Sequence, residues 1–183
     1  EAAKKGRAKY YLPALICLGV EYGASKQECL SLKWKDINFN SNGGMIKFFR
    51  TKNDRTRTEV LMPMSRRELN IWWNHLQYRR KKLGLHSIKP DELVFCKADG
   101  RPIKEFKNSF SKACQDAGIS DFRFHDLRHT FCSNLILSGA GLKEVKEMIG
   151  HADLRMTDRY SHLPNQRKQA MYQQLSDYYQ NNE

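Results

Sequence analysis

The sequence predicts an α+β domain, mainly helical, with a small three-stranded antiparallel sheet at one edge. Three observations predict it. Apolar residues recur at helical spacing in most segments long enough to show a period. One stretch, Asp36 to Pro63, alternates instead, and a turn cluster, Asn40-Ser41-Asn42-Gly43-Gly44, divides it. The chain has 183 residues, enough for one domain with a real core or two small ones.

The elements follow in order. Tyr11 to Val20 is an apolar run that reads as a buried helix, with Pro13 in its first turn and Gly23 beyond its end. Ser25 to Leu32 reads as a second helix, with Ser25 as N-cap and Glu28 three residues on, a capping box. Trp34 to Phe39, Met45 to Arg50 and Thr58 to Met62 read as the three strands. The second connection, Thr51 to Arg57, carries Lys52, Arg55 and Arg57 on a polar tip. On so basic a chain that tip reads as a probe for a phosphate backbone. A solvated turn is the plainer reading.

Ser65 begins a long helix, again with a capping box, to Glu68. Leu69, Trp72, Leu76 and Leu83 keep helical spacing and Trp73 widens the stripe, so these aromatics read as core. Arg79-Arg80-Lys81-Lys82 closes the helix. Cations suit a helix C-terminus and also suit DNA, and both readings stay open. Leu93 to Phe95 reads as a short strand. Lys104 to Ala117 reads as a helix with Phe106, Phe110 and Ala113 on one face, capped by Gly118. Leu127, Phe131 and Leu135 then anchor another helix, and Leu142, Val145 and Ile149 a shorter one that Gly150 stops. After Pro164 a last helix runs to about Tyr179.

Lys and Arg number 32 against 20 Asp and Glu, a formal charge of +12. Such a chain attracts polyanions, and nucleic acid is the first candidate. The surplus is uneven: residues 1–140 hold 26 basic and 14 acidic residues, whereas residues 141–183 hold 6 of each. The neutral tail looks built to meet protein. The five cysteines are scattered and form no C-x-x-C pair, as expected of reduced thiols in a cytoplasmic protein. No apolar run approaches membrane-spanning length and no signal peptide is evident, so no membrane partner is expected.

Chemistry concentrates between Phe124 and His162. His125 and Arg128 are three apart and share a face if helical. His151 follows the glycine stop, and Tyr160 comes nine residues later. Together these groups could act on a phosphate. Phosphoryl transfer needs a nucleophile, a proton donor for the leaving oxygen and cationic donors for the equatorial oxygens. Tyr supplies the first, His and Lys the second, and the fixed fork of Arg the third. A zinc site from His125, His129 and Cys132 is the rival. It lacks a fourth ligand at sensible spacing, and no metal is expected. His129 more simply makes a buried hydrogen bond that fixes its helix.

H-x-x-R-H, then G-H, then R-Y-x-H at these distances resembles the tyrosine recombinase, or phage integrase, family. The resemblance runs from about Tyr11 to His162 and matches the catalytic domain. It implies the tyrosine-recombinase (DNA breaking-rejoining) catalytic fold over residues 1–183, with 163–183 as a tail helix that docks on a neighbouring protomer. The core-binding domain that family members carry before this one is expected to be absent from the chain. The resemblance also implies site-specific DNA recombination, with Tyr160 as nucleophile forming a 3′-phosphotyrosyl link. His125, Arg128 and His151 would bind and activate the phosphate. Lys52 would protonate the leaving 5′-oxygen. Double-stranded DNA is the implied partner, four copies assemble at synapsis, no cofactor is needed, and a bacterial, phage or mobile-element origin fits. A type IB topoisomerase shares this chemistry, but the H-x-x-R-H and G-H pair is typical of recombinases.

One position departs. The family's G-x-R-x-x-E stretch is here Gly23-Ala24-Ser25-Lys26-Gln27-Glu28. Glycine and the supporting Glu28 are in place, but Ser25 stands at the arginine. A missing guanidinium typically costs ~2–4 kcal/mol at such a transition state. Lys26 lies about 100° round the helix from Ser25 and substitutes poorly. The alternative to an active recombinase is therefore a catalytically degenerate, recombinase-like DNA-binding module. Ser25 reads either as natural to a catalytically weak relative or as an introduced replacement of the arginine.

Overall fold

The computed structural model describes residues 1–6, 8–40, 43–50 and 55–149, the side chains of Arg50 and Arg55 excepted. The chain divides after Arg128 into two compact units. Expectations for Lys52, Gly150, His151, Tyr160 and the tail helix fall outside the described residues, as does the side chain of Arg55.

In the first unit, α1 (Leu12–Tyr22) places Pro13 in its opening turn and ends at Gly23, which takes a left-handed conformation with φ of 58°. α2 (Lys26–Ser31) carries the expected capping box. Trp34 to Phe39 was expected to be a strand throughout. Instead Trp34–Asp36 is a 3-10 turn, because Asp36 folds back to accept the Lys33 N–H at 3.0 Å, and β1 keeps only Ile37–Asn38. β2 (Met45–Arg50) lies between β1 and β3 (Arg55–Val60), both antiparallel to it.

The third strand is shifted from the expected Thr58–Met62. The ladder runs from Met45↔Val60 to Arg50↔Arg55, so the six residues of β2 pull in six partners and take Arg55, Thr56 and Arg57 from the connection. Side chains alternate across the sheet. Ile46 and Phe48 are fully buried, and Arg57, opposite Phe48, is turned inward with them. The expectation of Arg57 on an exposed tip is thus corrected: it belongs to β3.

α3 (Pro63–Lys82) begins before the expected Ser65, with Pro63 at its first position. The expected Ser65–Glu68 box is replaced by a distant carboxylate. Glu21 of α1 accepts the N–H groups of Met64 at 3.3 Å and Ser65 at 2.8 Å. Tyr22 reinforces this joint, donating to Val60 O at 3.0 Å and accepting from Met62 N at 2.6 Å. Burial pushes its phenol up to about 12. Leu69, Trp72 and Leu76 face the core, but Leu83, past the last turn, is exposed. Arg80 is buried and grips Glu92 through both ends of its fork, which gives this member of the basic run a structural role.

Leu93 to Phe95 forms no strand of its own. Lys33↔Leu93 is an isolated bridge, and Val94 is fixed by its N–H on Leu32 O at 2.8 Å and by Trp72 Nε1 on its carbonyl at 2.7 Å. α4 (Lys107–Asp116) starts three residues later than expected, where the Glu105 carboxylate accepts the Phe106 and Lys107 N–H groups. Phe106, Phe110 and Ala113 are buried and Gly118 turns the chain at φ 71°, as expected.

α5 (Asp126–Leu137) begins in the first unit and continues into the second. There Phe131, Cys132 and Ile136 pack with Val145 and Ile149 of α6 (Leu142–Ile149), the expected short amphipathic helix. Among the described residues no helix is long and apolar enough to cross a membrane.

Candidate functional site

The two motif halves present in the first unit meet at one carboxylate. α1 ends at Gly23 because only a left-handed residue turns the chain so sharply into α2. The Gly23 carbonyl at that turn accepts from a distant side chain. Arg128, buried in the first turn of α5, donates Nη1 to it at 2.9 Å across 105 residues of sequence.

Glu28 is the second partner. It is 4% exposed, and its Oε2 accepts the Ser25 N–H at 2.8 Å and lies 3.6 Å from Arg128 Nη1. Its Oε1 lies 3.4 Å from Arg57 Nε. Burial pushes the Glu28 carboxyl up. The hydrogen bond from the Ser25 N–H and the charges of Arg57 and Arg128 outweigh that, so it stays below the ordinary carboxylate value and is ionised.

Ser25 is the N-cap of α2. Its hydroxyl accepts the Glu28 N–H at 3.2 Å. The side chain at the departing motif position therefore works on its own helix. Lys26 does not stand in for it: its ammonium lies 2.6 Å from Glu105 and holds that carboxyl down to about 2.

His125 lies in the turn before α5, not on the helix, and its carbonyl accepts the Arg128 N–H at 3.0 Å. The imidazole is exposed where Arg128 is buried, and the shared helical face expected for the pair does not form, because His125 precedes the helix. His129 is half-buried on α5. Among the described residues no three of His, Cys, Asp and Glu gather as a metal site would need.

Sequence reasoning placed Glu28 as a support and missed Arg57 as its partner. The signal was available in the period of two through Thr56, Arg57, Thr58, Glu59 and Val60. It sets Arg57 and Glu59 on one face and the two threonines with Val60 on the other.

The chain is 29% identical over 155 residues to the tyrosine recombinase XerC of Staphylococcus carnosus (strain TM300). The match covers 82% of this chain and 48% of the relative. The chain thus spans about half the length of the curated relatives it matches. Its fold is similar to that of the XerH site-specific recombinase bound to difH substrate, with a TM-score of 0.65 at 23% identity, over 93% of this chain and 49% of that one. It is also similar to the catalytic domain of bacteriophage HP1 integrase, with a TM-score of 0.57 at 23% identity, over 96% and 89%. The model of the phage integrase family matches residues 1–167. The chain belongs to the phage integrase family, and its fold is that of the tyrosine recombinase catalytic domains.

Proposed function

We propose that this chain is the part of a site-specific recombinase that cuts and rejoins duplex DNA. Tyr160 Oη attacks a backbone phosphorus and forms a 3′-phosphotyrosyl bond as the P–O5′ bond breaks. Lys52 protonates the departing 5′-oxygen. Arg128 and His151 hold the equatorial oxygens, and His125 takes part in proton transfer. A 5′-hydroxyl of another strand reverses the step. The bond energy stays in the protein–DNA link, so the reaction needs no cofactor.

The observation that carries this reading is the buried hold on Arg128. A guanidinium fixed by Gly23 O and Glu28, three residues after an exposed His125, is preorganised to receive an oxyanion. The surplus of basic residues supplies the attraction to DNA, and Lys52, between β2 and β3 in sequence, would meet its backbone together with Arg55. The neutral segment 163–183 would dock on a neighbouring protomer when four copies assemble on DNA. The work would be done in the cytoplasm of a bacterial host.

The test is covalent capture. The chain is incubated with a nicked duplex carrying its target, denatured, and resolved for a protein–DNA adduct. An adduct that disappears in Tyr160→Phe supports the reading. Ser25 favours a second one, a module that binds DNA without cutting it, because its hydroxyl is committed to capping α2. A shifted duplex with no adduct in any condition would establish that second reading.

A further inference from the structure

We infer that Arg57 is a positioning residue for strand transfer: it cancels the charge of Glu28 so that Arg128 keeps its own for the DNA phosphate. The inference rests on the strand-transfer reading for its purpose, but the electrostatic relation it describes stands on the geometry of the first unit.

Arg57 and Arg128 approach the same carboxylate from opposite oxygens, at 3.4 Å from Oε1 and 3.6 Å from Oε2. Arg57 is held on several sides. Its guanidinium carbon lies 4.7 Å from the centre of the Phe48 ring, its Nη1 lies 3.5 Å from Glu59, and its side chain is 11% exposed. A side chain so held on the inner face of β3 acts through Glu28.

The formal charges of Arg57, Glu28, Glu59 and Arg128 cancel. Without Arg57 the set becomes net negative, and the uncancelled carboxylate sits 3.6 Å from the guanidinium that must receive a phosphate. In a buried setting such a charge is weakly screened, so it both competes for Arg128 and repels the incoming anion. The same carboxylate cannot simply be dispensed with by the fold, since it closes the α2 capping box together with Ser25. A glutamine in its place keeps that box and carries no charge. With serine at position 25, the N-terminus of α2 adds no guanidinium to these four groups.

The experiment is a charge-compensation cycle in the full chain: Arg57→Gln, Glu28→Gln, both together, and Arg57→Lys. Two quantities are read. One is the rate of adduct formation on the nicked duplex. The other is the affinity for inorganic sulfate, followed by NMR on the Nε–H of Arg128, which needs no catalysis. Arg57→Gln is expected to lower both by about tenfold to a hundredfold, less than loss of a direct donor. Adding Glu28→Gln is expected to restore most of the loss, and Arg57→Lys to retain most of the wild-type value.

A merely structural Arg57 predicts the reverse, with the double variant at least as impaired as the single. That result, or sulfate affinity unchanged in Arg57→Gln, would overturn the inference. Should Arg57→Gln fail to fold alone, a double variant that folds and binds sulfate supports it, and one that does not fold overturns it. If no variant, wild type included, forms an adduct, the strand-transfer reading fails while the sulfate series still decides the electrostatic one.

Discussion

Gly19 of α1 lies directly against Leu127, the residue before Arg128. A Cβ placed on Gly19 would stand 2.7 Å from Leu127 Cδ1 and 3.0 Å from its Cβ. The absence of a side chain on α1 is what lets the first turn of α5 approach closely enough for Arg128 to reach Gly23.

Alanine at this position therefore sets two effects against each other. In a helix interior it is favoured over glycine by ~1 kcal/mol. The tightest overlap is with the Leu127 Cδ1 tip, which is buried and can yield only by pressing on its neighbours, while the Cβ at 3.0 Å is fixed to the backbone, and overpacking of this kind costs about 1–3 kcal/mol. Gly19→Ala should thus lower stability in urea denaturation, and Leu127→Ala combined with it should recover part of the loss. A Gly19→Ala variant more stable than the wild type would show that the two helices are not in this contact.

Ser25→Arg should move stability and activity in opposite directions. The serine hydroxyl caps α2 at 3.2 Å from the Glu28 N–H, and losing such a cap costs ~1 kcal/mol. A restored guanidinium beside Arg128 should raise the adduct rate by about a hundredfold. Paired urea titration and single-turnover cleavage check this. An unchanged rate would mean that position 25 does not face the phosphate.

Glu28 should contribute a pH dependence of known sign. Its carboxyl is held below its ordinary value of 4.5 in the folded chain. The native state therefore gains from ionised Glu28 above that value, and the gain is lost as pH falls from there through the folded value. Glu28→Gln should cost stability at neutral pH, and its deficit relative to wild type should shrink below about pH 4.5. Chemical denaturation repeated between pH 7 and pH 3 reads the difference.

The basic run at the end of α3 should separate by residue. Arg80 is buried with its fork on Glu92, so Arg80→Ala should destabilise by about 3 kcal/mol by leaving a carboxylate unpaired. Arg80→Met with Glu92→Leu should be far milder. Arg79, exposed on the same turn, should leave stability unchanged as alanine and weaken duplex binding in a salt-dependent way. Urea midpoints and gel shifts at two salt concentrations distinguish the two arginines.

Much of this protein was legible from local pattern. The helices from α1 to α6 follow from apolar spacing, and the α2 capping box from Ser25 and Glu28 standing three apart, since both signals are carried by residues within a turn or two of each other. The motif that marks the family is likewise written in short-range spacings around Arg128 and Gly23. Some of what failed was local, as where Asp36 takes the Lys33 N–H, and some was set at a distance. Ser65 looks like a cap until Glu21 arrives from α1, and Leu93 to Phe95 looks like a strand until Trp72 claims the Val94 carbonyl.

Sequence alone determined the family, through its motif spacings, and the order of most helices and of the three-stranded sheet. Only the tertiary structure decided that Arg128 reaches the Gly23 carbonyl across 105 residues, and that one carboxylate stands between two guanidiniums. The reason is electrostatic. Whether a charge is a solvated probe or a buried counterion depends on what the rest of the chain places within a few ångströms of it, and that distance has no trace in a residue's immediate neighbours.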